Sequence, residues 1–361
     1  MTPEDLRAGV QAGILTEAQA AGLKALAESR AGRRAALAGE DEPFEFFRGF
    51  SEIFISIGLI ILLSGLMGLI AWVGGAAIAI FLPLICAAIA WWWAGYFTLK
   101  RRMNLPSMVL AVTFGGSILV AGVTLMLQTM ADSLDFSRWL VVLPLIVATL
   151  AMGLWYRRFR LPFSMFVLAG FALLTLYSLV ASPQVIADVL IGTSRNGLGR
   201  FFDLRQSPVF ALTTLVFGLA AFAAGMWFDM KDPNRLGRHS ATAFWLHLSA
   251  APALVNTVAL TLYNSGGTRG MLLLILALLV ITALALVIDR RSFLSAAIAY
   301  IALVLGWVIG EGGAFGAWVL LLLILGALIT AMGTWWVQLR NGLMRALPDF
   351  PGKSRLPPWA G

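Results

Sequence analysis

The chain has 361 residues, of which 60% are hydrophobic and only 12% are charged, and its formal net charge is +8. A soluble globular chain carries about 25% charged residues, so the composition excludes a soluble globular protein. The single cysteine excludes an intramolecular disulfide scaffold. The basic residues occur in small groups between long apolar runs, which is typical of membrane proteins and does not favour nucleic-acid binding. The sequence therefore predicts an all-α, polytopic membrane helix bundle.

Residues 1–38 predict a short cytoplasmic hairpin of two helices ahead of the membrane domain. The first helix should end at Gly13, and Thr16 and Gln19 have the spacing of a capping box that starts the second. A hairpin of this size buries too little apolar surface to be stable alone. We expect it to contact another membrane protein, a second copy of the chain or the cytoplasmic loops. Residues 39–52 follow as an acidic spacer and a juxtamembrane segment, which either lies in the membrane interface or leads directly into the first span.

About ten apolar runs are long enough to cross the bilayer as helices, which needs about 20 residues each. Short linkers such as Gly74-Gly75 predict that neighbouring spans form antiparallel hairpins. The transmembrane domain is then residues 53–337, and residues 338–361 are a cytoplasmic C-terminal tail. The predicted spans are residues 53–73, 76–97, 107–128, 139–156, 162–181, 209–228, 242–263, 270–288, 293–310 and 315–337.

The lysines and arginines predict the orientation of these spans. Of the 26 basic residues, 21 fall on the side of the N terminus in the ten-span arrangement and 5 on the other side. This excess predicts that both termini are cytoplasmic. The five residues on the opposite side are Arg138, Arg195, Arg200, Arg205 and Arg269.

Three of the predicted inner turns resemble one another. Residues 101–108 are echoed by residues 157–165 and more weakly by residues 289–294. Duplication of a two-helix unit explains this echo, and so does convergence, because every inward-facing turn needs arginines and a helix start. Both explanations remain open at the level of the sequence.

The chain also resembles a known family. The run Gly13-Ile14-Leu15-Thr16-Glu17-Ala18-Gln19-Ala20, the charged spacer and the array of about ten apolar helices resemble a family of bacterial predicted membrane proteins of unknown function. Residues 243–252 resemble the alphaproteobacterial members. The resemblance implies a multi-pass protein of the inner membrane of a Gram-negative bacterium, and it brings no activity and no functional residues.

Sequence motifs for chemistry are scarce. The chain has only two histidines, His239 and His247, and no Gly-Lys-Ser or Gly-Lys-Thr sequence for a phosphate-binding loop. We therefore expect no enzymatic activity, no catalytic residue, no metal site and no cofactor. The sequence does not favour serine-based catalysis, which would need His247 to meet Asp229 or Asp232 from the neighbouring loop.

Polar side chains recur every seven residues on the seventh predicted span, and a step of seven turns a helix by only about 20°. The third span has a shorter stripe of this kind. Such side chains either bond across helix contacts, which we favour, or line a path for a small uncharged or amphipathic solute. His247 is likewise a packing histidine or a proton carrier. The candidates are Thr242, Ser249, Asn256, Tyr263 and His247 on the seventh span and Ser117, Thr124 and Gln128 on the third.

Four spans carry two glycines seven residues apart, so that each pair lies on one helix face. Small residues at this spacing allow helix backbones to approach closely in a membrane. We expect these spans to be interior ones. The pairs are Gly58/Gly65, Gly115/Gly122, Gly218/Gly225 and Gly326/Gly333.

Two functional classes are consistent with these features. The first is a non-catalytic scaffold or accessory membrane subunit, which binds a partner through the N-terminal hairpin. The alternative is a channel or carrier that uses the polar stripe of the seventh span. An intramembrane enzyme is the least favoured class, because acids and bases are scarce in the spans.

Overall fold

The computed structural model describes residues 49–78, 81–129, 138–182, 202–232, 238–291 and 315–357, together with isolated positions elsewhere. Over these residues the chain is helical and contains no strand, which confirms the all-α class. The helices are α1 (Phe50–Ile78), α2 (Leu82–Ala94), α3 (Asn104–Thr129), α4 (Trp139–Phe159), α5 (Ser164–Val180), α6 (Pro208–Asp229), α7 (Arg238–Tyr263), α8 (Gly267–Ile288), α9 (Phe315–Thr334) and α10 (Trp336–Ala346). A π-helical turn, Gly95–Lys100, continues α2.

Seven described helices are long and apolar enough to cross a membrane: α1, α2 with its π-helical turn, α3, α4, α6, α7 and α8. Helix α5 is apolar but has only 17 residues, and α9 is an apolar helix of 20 residues. The protein is therefore a multi-pass membrane protein. The ninth predicted span lies outside the described residues except for Phe293.

The predicted linker at Gly74-Gly75 is wrong. Helix α1 continues through both glycines to Ile78. Glycine permits a turn without requiring one, and a helix surrounded by lipid gains from keeping its backbone hydrogen bonds. The next helix begins at Leu82, and Pro83 lies in its first turn. Proline is tolerated there because the N–H groups of the first turn have no partner within the helix, so the missing N–H of proline costs no hydrogen bond.

The end of the tenth predicted span also differs. Helix α9 ends at Thr334, and a separate helix, α10, begins at Trp336 and runs to Ala346. The C-terminal tail is therefore partly helical. Trp336 and Met344, on one face of α10, are buried, so this helix packs back on the membrane domain, mainly against α8.

Two apolar cores hold the described helices together. The first joins α1 to α4 around aromatic rings: the Trp155 ring centroid lies 4.5 Å from that of Phe159 and 4.8 Å from that of Phe114. The second joins α5 to α8 with α10 and is rich in alanine, with Ala250 and Ala251 of α7 fully buried. Small side chains allow α6 and α7 to pack along each other.

Hydrogen bonds show which helix ends lie together. The Glu52 carboxylate, near the start of α1, accepts hydrogen bonds of 3.1 Å from the N–H groups of Asn104 and Leu105 at the start of α3. Asn264, after α7, donates through Nδ2 to Asp203 Oδ2 at 2.8 Å, just before α6. Because the turn before α3 carries basic residues, we call its end of the bundle the basic end and the other the far end.

Four residues at the basic end share an unusual backbone conformation. Arg102, Arg160, Arg235 and Asp289 have φ values of 53°, 48°, 54° and 56°. This left-handed region is uncommon for residues other than glycine and typically ends a helix. Arg102 and Arg160 lie in turns between consecutive helices, and Arg235 lies between α6 and α7, outside the sequence echo. The conformation is therefore shared by basic-end turns in general and does not separate duplication from convergence.

Only isolated positions of the first 48 residues are described, and they include the predicted capping box. The Gln19 N–H donates to Thr16 Oγ1 at 3.2 Å, and the Thr16 N–H donates to Gln19 Oε1 at 3.0 Å. Gly13 has a φ of 70°, and the Gly13 N–H bonds to the Val10 carbonyl at 3.0 Å. The helix end at Gly13 and the helix start at Thr16 are therefore confirmed.

Candidate functional site

The described residues bring an aspartate, a histidine and an arginine from three helices into contact at the basic end. Asp229 ends α6, His247 lies on α7 and Arg290 follows α8. Asp229 is 3% exposed, and His247 and Arg290 are fully buried. Burial of ionisable groups is costly unless they are paired. We call these three residues the Asp229 cluster.

The Asp229 carboxylate accepts hydrogen bonds from both partners. His247 Nε2 lies 2.9 Å from Asp229 Oδ2. Arg290 Nε donates to the same oxygen at 3.1 Å, and Arg290 Nη2 donates to Oδ1, so the arginine contact is two-pronged. Since the carboxylate already pairs with a guanidinium, the geometry assigns the proton between Asp229 and His247 to Nε2. In the neutral ring His247 Nδ1 is then an acceptor, and it is buried without a hydrogen-bond partner among the described residues.

Gly225 makes room for the imidazole ring. A Cβ at this position would lie 2.9, 3.0 and 3.1 Å from three atoms of the His247 ring, closer than real Cβ atoms approach or nearly so. The aromatic rings of Phe222 and Phe293 have centroids 5.4 Å and 6.0 Å from that of His247. The histidine is thus enclosed by a glycine face and apolar rings.

A second group of polar residues surrounds Asp289, the residue next to Arg290. Arg235 Nη1 donates to Asp289 Oδ2 at 2.9 Å, and Trp336 Nε1 donates to Oδ1 at 2.7 Å. Arg340 Nε lies 3.8 Å from Oδ1. Burial lowers the pKa of the Arg340 guanidinium below its usual value, and attraction to Asp289 opposes this shift. We call Asp289, Arg235, Trp336 and Arg340 the Asp289 cluster.

The two clusters link several elements through one dipeptide. Asp289 binds the α6–α7 connection and α10, whereas Arg290 binds the end of α6 and, through a 3.2 Å bond to the Ser240 carbonyl, the start of α7. Arg340 also donates through Nη2 to the Pro357 carbonyl at 2.6 Å, which attaches the C-terminal tail to α10. The buried charges therefore join the ends of four helices.

Sequence reasoning did not find these clusters. It expected Asp229 to approach His247 only from a neighbouring loop, and it assigned Arg290 to the general excess of basic residues at the inner side. The contact between Asp229 and Arg290 spans 61 residues, so no local spacing indicates it. The sequence feature that could have indicated the Asp229 cluster is Gly225, one helical turn before Asp229. A glycine at this position marks the face of α6 that a neighbouring side chain approaches.

The polar stripe of the seventh span lies on α7 and is bonded largely within that helix. Thr242 Oγ1 and Ser249 Oγ each donate to the carbonyl four residues earlier, at 2.9 Å and 3.0 Å. Thr242 is buried and lies 3.4 Å from the Tyr156 hydroxyl, whereas Ser249, Asn256 and Tyr263 are half-buried. Bonds within a helix are compatible with packing and with a solute path, whereas the contact of Thr242 with Tyr156 reaches another helix. On α3, Ser117 and Thr124 are half-buried and Gln128 is exposed.

The predicted packing glycines divide into two groups. A Cβ at Gly115 would lie 2.7 Å from Phe171, one at Gly122 would lie 2.9 Å from Pro144, and one at Gly218 would lie 2.8 Å from Leu254. With Gly225, these positions are close approaches between helices.

The other four glycines have no such contact. A Cβ at Gly58, Gly65, Gly326 or Gly333 meets no heavy atom within 4 Å in the described part of the chain. Ile57 and Ile61 beside the glycines of α1 are 49% and 66% exposed. Among the described residues, nothing therefore supports the prediction that α1 is interior. The glycine spacing places two small residues on one face but does not show which face contacts protein.

The arrangement is suited to holding helices together. In the described residues no group of three histidine, cysteine, aspartate or glutamate side chains could hold a metal ion. The carboxylates of both clusters pair with arginines of this chain, and His247 Nδ1 is enclosed.

Comparison with known proteins finds no relative: no family model, no curated protein and no solved structure matches the chain.

Proposed function

We propose that the protein is a non-catalytic scaffold or accessory subunit of a bacterial inner membrane. The observation that supports this most directly is the pairing within the Asp229 and Asp289 clusters. The buried carboxylate of Asp229 and the partly buried one of Asp289 each bond to an arginine of the same chain, so these charges fix how the helices meet rather than face a solute. The resemblance of residues 13–20 to bacterial membrane proteins supports the location.

The proposed docking element is the N-terminal hairpin, residues 1–38. Its turn has the capping and closing bonds of a defined structure, yet Ile14 within that turn is 77% exposed. An exposed isoleucine on an ordered turn favours contact with a partner protein or a second copy of the chain. The partner would approach from the cytoplasm if the N terminus lies there.

Co-purification from native membranes tests the proposal. Full-length protein and a variant lacking residues 1–38 are extracted in mild detergent and compared by native gel electrophoresis and identification of bound proteins. We expect both chains to insert, because no described helix of the membrane domain begins before Phe50. The full-length chain should retain a partner or self-associate, and the truncated chain should not.

Two results would contradict the proposal. If the truncated chain failed to insert, the hairpin would belong to the membrane fold. If both chains bound the same proteins equally, the hairpin would not be the docking element. A full-length chain with the single substitution Ile14→Asp is the second variant, and it should lose the partner while keeping the fold.

A carrier or channel for a small uncharged or amphipathic solute is the second candidate. The observation that favours it is His247 Nδ1, a buried polar atom without a hydrogen-bond partner among the described residues. A buried group of this kind within a membrane helix is a functional candidate by default. A cavity that reaches Asn256 from the water phase would favour this candidate over the scaffold.

A further inference from the structure

Six basic side chains gather at the basic end of the α1–α5 half of the bundle. Three lie where α2 and its π-helical turn end, and three lie where α4 ends. The π-helical turn contacts α4, and Phe97 of that turn packs in the same core as Phe159, so the two groups are neighbours. All six side chains are exposed. We call this set the basic patch: Lys100, Arg101, Arg102, Arg157, Arg158 and Arg160.

The basic patch is not neutralised within the described part of the chain. None of its six residues forms an ion pair there. The carboxylate in this region, Glu52, is 4% exposed, and its Oε2 already accepts the N–H groups of Asn104 and Leu105. Its bonds therefore cap α3 rather than pair with the exposed arginines.

The other half of the same end provides a contrast. There three arginines, Arg235, Arg290 and Arg340, are buried or nearly so and interact with Asp229 or Asp289. Lys231 and Arg238 of that half are exposed. The excess of basic residues on one side of the membrane would explain both sets equally. It does not explain why three arginines of one half pair with carboxylates of the chain, whereas none of the six basic residues of the patch does so among the described residues.

Aromatic side chains place the basic patch at the depth of lipid headgroups. Arg101 Nε donates to the Tyr96 hydroxyl at 2.9 Å, and its guanidinium lies 5.6 Å from the Tyr96 ring centroid. Trp92, one turn before Tyr96, is 76% exposed. Exposed Trp and Tyr side chains concentrate at the level where the hydrocarbon meets the headgroups. Leu154, about one turn before Arg158, is 57% exposed and is available for acyl chains.

We propose that the basic patch binds the phosphate-bearing headgroup of an anionic phospholipid. Guanidinium groups match the geometry of phosphate oxygens with two parallel hydrogen bonds. Several basic side chains at headgroup level attract anionic lipid, and the attraction increases with their number. The position of the patch favours a lipid over a free phosphate ion as the ligand. The charged ends of α2 and α4 adjoin exposed apolar side chains of the same helices, and acyl chains could cover these side chains, whereas a phosphate ion could not.

Native mass spectrometry of the full chain in detergent, titrated with phosphatidylglycerol or phosphatidylcholine, tests the proposal. The variant Arg157→Gln/Arg158→Gln removes two charges of the basic patch. The matched control Arg205→Gln/Arg269→Gln removes two exposed charges at the far end. We expect about tenfold weaker phosphatidylglycerol binding in the patch variant and less than about twofold change in the control. Phosphatidylcholine binding should not change, and higher salt should reduce the difference.

Several outcomes would overturn the proposal. Equal loss in the patch and control variants would indicate general attraction to charge. Displacement of the lipid by about 10 mM inorganic phosphate would indicate a site for free anions, since screening alone is weak at that ionic strength. If the parent chain bound no phosphatidylglycerol but a Glu40→Gln/Asp41→Asn/Glu42→Gln variant did, the chain's own acidic run would be the occupant. Thermal unfolding should be the same for parent, patch and control chains, because exposed unpaired side chains contribute little to stability.

Discussion

At the scale of single residues, Asp229 joins the end of α6 to α7 and to Arg290, which follows α8. It is the acceptor that compensates the buried guanidinium of Arg290 and that orients the ring of His247. A buried ion pair contributes little net stability compared with apolar residues of the same shape. Removal of one partner, in contrast, lowers stability strongly, because the remaining charge stays buried where it is poorly solvated.

The substitution Asp229→Asn tests this asymmetry. It retains the size of the side chain but leaves the Arg290 guanidinium without its counter-charge, so we expect a loss of about 3–5 kcal/mol in the free energy of unfolding. The measurement is thermal unfolding in detergent by fluorescence-detected gel filtration. Asp349→Asn is the control, because the Asp349 side chain is fully exposed in its contact with Lys353 and should have no measurable effect. Equal midpoints for Asp229→Asn and the parent would show that the cluster does not hold the helices.

The glycine that admits His247 gives a second prediction at this scale. Gly225→Ala places a Cβ 2.9 Å from the imidazole, so the ring or helix α6 must shift, and we expect a loss of about 1–3 kcal/mol. Gly65→Ala is the matched control on α1. Its Cβ would enter open space, so the alanine should be neutral or slightly stabilising through its higher helix propensity. The thermal midpoints of the two variants should therefore differ clearly, and equal midpoints would contradict the close approach of α6 and α7.

At the scale of helices, most elements from α1 to α8 could be predicted from the sequence, because a span is a local property of about 20 apolar residues. What could not be predicted is which side of each helix faces protein. The glycines of α6 and α1 have the same spacing, yet Gly225 contacts His247 and Gly65 contacts nothing described. Almost every side chain of a membrane helix is apolar, so the contrast between a core face and a water face that orients a soluble helix is absent. Likewise, no local pattern joins Asp229 to Arg290.

Helix α7 carries the prediction that separates packing from a solute path. Asn256 lies two turns before the end of α7 and is half-buried. In the packing interpretation, Asn256→Leu removes an amide contact and lowers stability by about 0.6–2 kcal/mol. We expect this result by thermal unfolding in detergent. A fully stable Asn256→Leu chain, together with an Asn256→Cys chain that reacts with a water-soluble thiol reagent, would instead place the residue on a hydrated path.

At the scale of the whole molecule, contacts at the two ends of the bundle agree with the alternation that the basic residues predict. The basic end holds the bonds of Glu52 to α3, of Tyr156 to Thr242 and of Asp229 to Arg290. The far end holds the bond of Arg138 to the Leu179 carbonyl, at 3.0 Å. Ion pairing is concentrated in one half of the basic end, so the protein combines a fixed α6–α8 region with an exposed basic patch beside α2 and α4.

This arrangement leads to the prediction for membrane topology. With ten predicted spans, 21 of 26 basic residues fall on one side, and we predict that both termini are cytoplasmic. A reporter fused after residue 195 should be periplasmic, and one fused after residue 235 should be cytoplasmic, because α6 alone lies between these positions among the described helices. Alkaline phosphatase, which is active only in the periplasm, and green fluorescent protein, which is fluorescent in the cytoplasm, distinguish the two sides.

A fusion after residue 361 should report the same side of the membrane as the fusion after residue 235. If the reporters after residues 195 and 235 fell on the same side, α6 would not cross the membrane, and the Asp229 cluster could not lie at the end of a span.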